Sequence, residues 1–124
     1  MKKNLTRKER LKRPSDIRQV FLERKSVSCY GAKLFFRKNV NPWNRMMCIP
    51  ARGFKRAVDR NKVKRRVKEI FREEKHKLLT GYDVVFIVYP DMNGHDTFSK
   101  RKQQITSLLY QAGLYPSEEK EDRE

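Results

Sequence analysis

Residues 83–89 read Asp-Val-Val-Phe-Ile-Val-Tyr, and this stretch decides the predicted fold. It is almost continuously apolar and lies between Thr80-Gly81 and Pro90, which are turn-forming residues. An apolar run of this length between turn signals is typical of a buried strand. We therefore expect a sheet in which this strand is covered by helices.

The segments around this strand have either helical or strand patterns. Apolar residues recur at helical spacing directly before and after it, whereas segments further upstream show the apolar–polar alternation of strands. The predicted elements are a helix from Ser15 or Asp16 to about Lys25, strands over 27–37 and 45–49, a helix over 58–79, the strand over 83–89, and a helix from Thr97 or Phe98 to Gln111. Mixed elements in this order predict an α+β or α/β sandwich with helices packed on one sheet.

The chain length of 124 residues predicts a single domain, which we place at 1–115. Residues 1–13 carry seven Lys and Arg against the single acid Glu9, and we interpret them as a mobile basic arm. Residues 116–124 contain five acidic residues and are predicted to be an acidic disordered tail.

Charge is the dominant feature of the composition, with a formal net charge of +16. Such an excess favours a polyanionic partner, which is nucleic acid by default and an anionic membrane surface as the alternative. The longest apolar run, 84–89, is far shorter than the roughly 20 residues that span a bilayer, so no membrane partner is expected. The N-terminus lacks the apolar stretch of a secretory signal, and we expect a cytoplasmic protein.

The cysteines and histidines do not form a metal-binding pattern. Cys29 and Cys48 occur singly, and His76 and His95 lie far from both in the sequence. A zinc site or disulfide framework is therefore not expected. We interpret both cysteines as reduced, small apolar side chains.

The long predicted helix concentrates cations on one face. Its apolar stripe is formed by Val63, Val67, Ile70, Phe71 and Leu78. Opposite that stripe lie Asn61, Arg65, Lys68 and Arg72, with Lys64 and Lys75 on one flank, whereas Lys62, Arg66, Glu69 and Glu73 form a flank of mixed charge. Phosphates repeat along a nucleic acid and favour a row of donors that no carboxylate interrupts, so the acid-free face is the predicted binding surface.

A solvated helix with ordinary ion pairs is the alternative interpretation. Arg65 and Glu69, like Glu73 and Lys77, have the i,i+4 spacing of such pairs. The acid-free face and the net charge favour nucleic acid, but charge alone does not choose between RNA and DNA.

Residues 54–65 read Phe-Lys-Arg-Ala-Val-Asp-Arg-Asn-Lys-Val-Lys-Arg. This stretch resembles the signature Ala-Val-x-Arg-Asn-Arg-x-(Lys/Arg)-Arg of the protein subunit of bacterial ribonuclease P, and the resemblance extends over nearly the whole chain. Three features depart from the pattern. Lys62 replaces the usual arginine, Ile17 stands where an aromatic residue is common, and 48–53 replaces a strand that normally ends in paired lysines.

The resemblance implies a fold of three helices on a four-stranded mixed sheet, in the order α-β-β-β-α-β-α, with a left-handed β-α-β crossover. This is the fold named after the second domain of a small-subunit ribosomal protein. It requires one more strand than the pattern predicts. We expect that strand from a split of 27–37 and 45–49, or from a short addition.

The resemblance also implies two RNA-binding surfaces. The residues expected to contact the RNA subunit are Arg60, Asn61, Lys62, Lys64, Arg65 and Lys68, with Arg72 added from the helical phasing. The residues expected in a cleft for the single-stranded 5′ leader of precursor tRNA are Phe21, Phe35, Phe36, Arg52 and Lys55. Aromatic faces stack on unpaired bases and cations follow the backbone. Core packing is the alternative for Phe21 and Phe36, whereas Phe35 lies on the charged side of its strand.

The implied function is that of an accessory subunit in removing 5′ leaders from precursor tRNA. Catalysis would be carried out by the RNA subunit with its Mg²⁺ ions, and no protein metal site is expected. The expected partners are the RNA subunit and precursor tRNA, with no obligate protein partner. The alternatives are a ribosomal-type structural RNA-binding protein and a DNA-binding protein, although strands rather than a helix-turn-helix precede the basic helix.

Overall fold

The computed structural model describes residues 6–91 and 97–116. In this part of the chain it contains three α-helices, four strands and two short 3₁₀ turns. The helices and strands are α1 (Pro14–Leu22), β1 (Ser26–Cys29), β2 (Ala32–Lys38), β3 (Arg45–Pro50), α2 (Ala57–Glu74), β4 (Tyr82–Val88) and α3 (Phe98–Gln111). The predicted α+β class and element order are confirmed.

The four strands form one mixed sheet in the order β1-β2-β4-β3. The β1–β2 and β2–β4 pairs are antiparallel, whereas β3 and β4 are parallel and are connected through α2. A parallel pair needs a long crossover connection, which α2 supplies. That this β3-α2-β4 crossover is left-handed stays a prediction from the family resemblance.

The predicted strand over 27–37 is divided into β1 and β2 by a tight turn at Tyr30-Gly31. Gly31 has a φ of +90°, a conformation that glycine adopts without steric cost. This split supplies the fourth strand. The long helix ends at Glu74, earlier than predicted, because residues 75–77 tighten into a 3₁₀ turn.

The main core lies between one face of the sheet and helices α2 and α3. Helix α2 contributes Val63, Val67, Ile70 and Phe71, all at most 1% exposed, which confirms the predicted apolar stripe. The sheet and α3 supply the rest of this core, chiefly Leu34, Val84, Phe86, Ile105, Leu108 and Leu109. Burial of these side chains holds α2 in one orientation.

The opposite face of the sheet packs against the shorter helix α1. Val20 of α1 and Val85 of β4 are fully buried there. Phe35, Met47, Ile49 and Ile87 pack around them and are only partly buried. This face is therefore partly open.

Residues 6–13, which belong to the predicted basic arm, lie against β3 and its neighbours. The Leu11 amide donates to the Met46 carbonyl at 2.9 Å, and Leu11 is 3% exposed. The Trp43 indole donates to the Lys8 carbonyl at 3.0 Å, and Lys75 forms an ion pair with Glu9 at 3.1 Å. Residues 1–5 and 117–124, together with His95, lie outside the described residues.

Candidate nucleic-acid interface

The exposed face of α2 presents a short row of cations. Asn61, Lys64, Arg65 and Lys68 are exposed, and within the described residues the three cations form no ion pair. Their positions span about 10 Å along the helix axis at a rise of roughly 1.5 Å per residue. Because the opposite face of α2 is anchored in the core, these side chains project from a fixed backbone.

The acids of α2 are engaged away from this row. Glu69 accepts from Arg72 at 2.6 Å, and Glu73 pairs with Lys102 of α3 at 3.4 Å. The Arg65–Glu69 and Glu73–Lys77 pairs that the spacing allows do not form in the structure. Arg72, placed by phasing on the acid-free face, is partly buried and directed to Glu69.

Two further predicted contacts lie toward the start of α2. Arg60 is exposed, and its guanidinium donates to the Phe54 carbonyl at 2.9 Å, which ties the first turn of α2 to the preceding loop. Lys62 is exposed on the flank that faces the start of α3, where Lys62, Arg66 and Phe98 line a shallow groove.

The second surface lies where α1 crosses the open face of the sheet. The rings of Phe21 and Phe35 contact each other edge to face, with centroids 4.8 Å apart. The Lys33 ammonium lies 5.6 Å from the centroid of the Phe35 ring, a favourable cation–π position. The sequence prediction omitted Lys33, although the two-residue period of a strand puts it on the same face as Phe35.

Phe36 lies on the other face of the sheet. It packs against the main core beneath α2 and α3, together with its strand neighbour Leu34. Adjacent residues of a strand point to opposite faces, so Phe35 and Phe36 cannot share one cleft.

An ionic network holds α1 to the sheet. Arg45 of β3 donates to both carboxylate oxygens of Asp83, at 2.9 and 2.8 Å, and to Asp16 of α1 at 3.2 Å. The hydrogen bonds to Asp83 raise the pKa of Arg45 despite partial burial. Asp83 is 1% exposed and also accepts from Asn39 at 2.8 Å. Sequence patterns missed this network because its members come from separate elements.

Arg52 and Lys55 lie apart from the Phe21–Phe35 pair, at the end of the sheet. They line a cleft of about 710 Å³ together with Tyr30, Tyr89 and the start of α3. The Ala51 amide donates to the Val88 carbonyl at 2.7 Å, and the Tyr89 amide donates to the Gly31 carbonyl at 3.0 Å. The backbone pairing of the sheet thus continues to the edge of this end cleft.

The family model described as Ribonuclease P matches residues 5–113. The chain belongs to the ribonuclease P protein family. This confirms the family that the signature in α2 predicted, and with it the function of a ribonuclease P protein component in tRNA processing.

Several members of the family are similar to this chain over most of their length. A ribonuclease P protein component from Nitrosococcus oceani is 38% identical over 91 residues, which cover 73% of this chain and 76% of that protein. One from Thermotoga maritima is 39% identical over 87 residues, covering 70% and 74%. The solved structure of an RNase P protein from Thermotoga maritima superposes with a TM-score of 0.72 at 32% identity, covering 83% of this chain and 96% of that one.

Two findings cover the described residues, one on membrane-spanning helices and one on clusters of metal-binding side chains. No helix among them is long and apolar enough to cross a bilayer. They also contain no group of three or more His, Cys, Asp or Glu side chains that could hold a metal ion.

Proposed function

We propose that this protein binds the RNA subunit of ribonuclease P through the exposed face of α2, and the 5′ leader of precursor tRNA through the cleft between α1 and the sheet. The RNA subunit, with Mg²⁺ bound by RNA and substrate, performs the cleavage. The observation that carries this proposal is the unpaired row of Lys64, Arg65 and Lys68 on a helix whose other face is buried.

A fixed row of this kind suits the phosphate backbone of a folded RNA. Phosphate contacts fix the register and orientation of a protein on nucleic acid, and each charge-assisted hydrogen bond is stronger than a neutral one. The amide of Asn61 adds a neutral donor and acceptor beside the cations. Because the backbone of α2 is held by the core, little conformational entropy beyond that of the side chains is lost on binding.

The cleft at α1 suits an unpaired strand. Phe35 offers a partly exposed ring, Phe21 supports that ring from α1, and Lys33 places a cation beside it. Stacking on aromatic rings tolerates any base, and nearby cations attract the backbone. A leader of variable sequence therefore fits this surface better than duplex DNA does.

Cleavage by the RNA rather than by the protein is consistent with the chemistry of the described side chains. Burial raises the pKa of Cys48 to about 12 and also raises the pKa of Cys29, which disfavours the reactive thiolate of both. When bound to RNA and substrate, Mg²⁺ supplies activation of water and stabilisation of the leaving oxygen.

Reconstitution tests this proposal. The purified protein is mixed with a bacterial ribonuclease P RNA at low Mg²⁺, and cleavage of a precursor tRNA with a leader of several nucleotides is followed. We expect faster cleavage than with RNA alone, because the protein neutralises phosphate charge and binds the leader. No gain over RNA alone would refute the proposal.

Paired variants test the division between the two surfaces. Arg65→Ala with Lys68→Ala should weaken binding of the RNA subunit, whereas Phe35→Ala should mainly weaken binding of leader-bearing substrate. Lys25→Ala with Lys38→Ala is the control, since it removes the same charge from exposed positions outside both surfaces. Identical defects in the first two variants would show that the surfaces are wrongly divided.

Nothing in the fold or the comparisons favours a ribosomal-type or DNA-binding function. We infer a cytoplasmic protein with RNA as its macromolecular partner.

A further inference from the structure

The end cleft is formed by four separate parts of the chain. These are the β1–β2 turn, the segment after β3, the end of β4 and the start of α3. Its volume is about 710 Å³, which is in the range of small-molecule and nucleotide sites. The residues that carry its chemistry are Tyr30, Arg52, Lys55, Tyr89, Arg101 and Gln104.

Two tyrosines expose large aromatic surfaces in this cleft. Tyr30 is 80% exposed at the tip of the β1–β2 turn, and Tyr89 is 41% exposed just beyond β4. Neither ring is needed for the core, which closes without them. Exposed rings in a concave site are suited to stacking on a planar ligand.

The backbone carbonyls of both tyrosines are held by side chains of α3. Arg101 of α3 is 2% exposed, and its guanidinium donates to the Tyr89 carbonyl at 2.7 Å and to Gln104 Oε1 at 3.0 Å. Gln104 Nε2 in turn donates to the Tyr30 carbonyl at 3.0 Å. A buried cation and an amide thus fix the backbone that carries each ring, so the site is organised before any ligand arrives.

The charge of the cleft identifies the class of ligand. Among the described residues that line it are four cations, Arg52, Lys55, Lys100 and Arg101, and one carboxylate, Asp91, which pairs with Lys100 at 2.6 Å. Aromatic rings beside an excess of cations match the bases and phosphates of single-stranded nucleic acid.

We propose that the end cleft binds an unpaired nucleotide of the 5′ leader, with the base against Tyr30 and Tyr89 and the backbone toward Arg52 and Lys55. This rests on the proposed binding of the leader. Arg52 and Lys55 directly precede α2, which begins at Ala57 and carries the surface for the RNA subunit. The cleft therefore offers the leader a second contact, on the α2 side of the molecule and apart from Phe35.

The test uses the reconstituted holoenzyme and precursor tRNAs in which one leader nucleotide at a time lacks its base. We expect Tyr30→Ala and Tyr89→Ala each to weaken binding of the fully based precursor by about fivefold or more, since stacking is worth roughly 1–3 kcal/mol per base. At one leader position, removal of the base should weaken precursor binding by the wild type as much as the Tyr30→Ala substitution does. The same removal should not weaken binding by Tyr30→Ala any further. That position should differ from the one coupled in the same way to Phe35.

Two further variants serve as controls. Tyr30→Phe keeps the ring and should bind the precursor as the wild type does. Tyr110→Ala removes a ring that is 72% exposed on α3 but does not line the cleft, and it should have no effect. The exposure of Tyr30 means that its substitution should leave the unfolding transition unchanged.

Three results would overturn the proposal. The first is that Tyr30→Ala and Tyr89→Ala bind the precursor as the wild type does. The second is that they lose as much affinity for tRNA without a leader as for the precursor. The third is that they lose affinity for the RNA subunit alone. The last result would assign the cleft to the RNA subunit. Failure of the wild-type protein to stimulate the RNA would instead refute the proposed function itself, which these variants do not test.

Discussion

The two faces of the sheet are covered to different degrees. Toward α2 and α3, Leu34, Val84 and Phe86 are all fully buried, whereas toward α1 the side chains of Phe35 and Ile87 are only partly buried. Helices of 18 and 14 residues cover the first face and a helix of 9 residues covers the second. At roughly 1.5 Å per residue α1 is only about 14 Å long, too short to close its face.

This difference separates stability from binding. Apolar side chains that are sealed from water stabilise the fold, and they cannot touch a ligand. Those left partly exposed beside cations contribute less to stability and remain available to unpaired bases. The variants below use this contrast between a sealed face and an open face.

The largest expected effect is on stability and comes from two matched phenylalanine truncations. Phe86→Ala should lower the free energy of unfolding by about 3–5 kcal/mol, because it leaves a cavity in the sealed core. Phe35→Ala makes the same chemical change on the open face. It should lower the free energy of unfolding by clearly less, since part of its ring is already in water. Urea unfolding of both variants measures the difference, and equal losses would contradict the contrast between the faces.

The next effect concerns the leader. Phe35→Ala should weaken binding of a leader-bearing precursor by about 1–3 kcal/mol, the usual value of one stacked base, and should leave binding of tRNA without a leader unchanged. Binding to the holoenzyme is measured for both RNAs. The same loss with both would show that Phe35 acts through the fold rather than through the leader.

A smaller effect is expected from the ion pair that ties α1 to the sheet. Asp16→Ala removes the contact of α1 with Arg45 but keeps the bidentate pair of Arg45 with Asp83. Because the pair is partly exposed, we expect a loss of about 1 kcal/mol or less in stability. Binding of leader-bearing precursor should fall while binding of the RNA subunit does not.

The control for Asp16→Ala is Glu23→Ala, which removes an exposed acid just after α1. It should leave leader binding as in the wild type. Loss of a carboxylate by itself should strengthen rather than weaken attraction to RNA, so an equal change in leader binding by both variants would contradict a role for the position of α1.

The smallest effect is on the salt dependence of binding to the RNA subunit. With about six backbone contacts, the log–log slope of affinity against salt should be roughly −4 to −5. Lys68→Ala should reduce the steepness of this slope by about 1, whereas Phe35→Ala should leave it unchanged because stacking releases no counterions. A slope near zero for the wild type would contradict phosphate binding by α2.

The sequence predicted the elements whose evidence is local. The spacing of Val63, Val67, Ile70 and Phe71 identified the buried stripe of α2, and the apolar run from Val84 predicted β4. The split of 27–37 was expected only once a fourth strand was required, because Tyr30-Gly31 interrupts the alternation by just two residues.

The site residues were predictable to a different extent on the two surfaces. The exposed row on α2 follows from helical period alone, since a single element presents it. The cleft at α1 depends on which strand face meets which helix. Phe35 and Phe36 look equivalent by composition, yet the pleat of β2 places only Phe35 beside Phe21.

By itself, then, the sequence determined the helices, the strands, the cationic face of α2 and, through the signature at 57–65, the family. These are properties of neighbouring residues and of helix and strand periods. Only the tertiary structure decided that Arg45 joins Asp16 to Asp83 and that Tyr30, Tyr89 and Arg101 meet at the end of the sheet. Such contacts depend on how distant segments pack, and no local period carries that information.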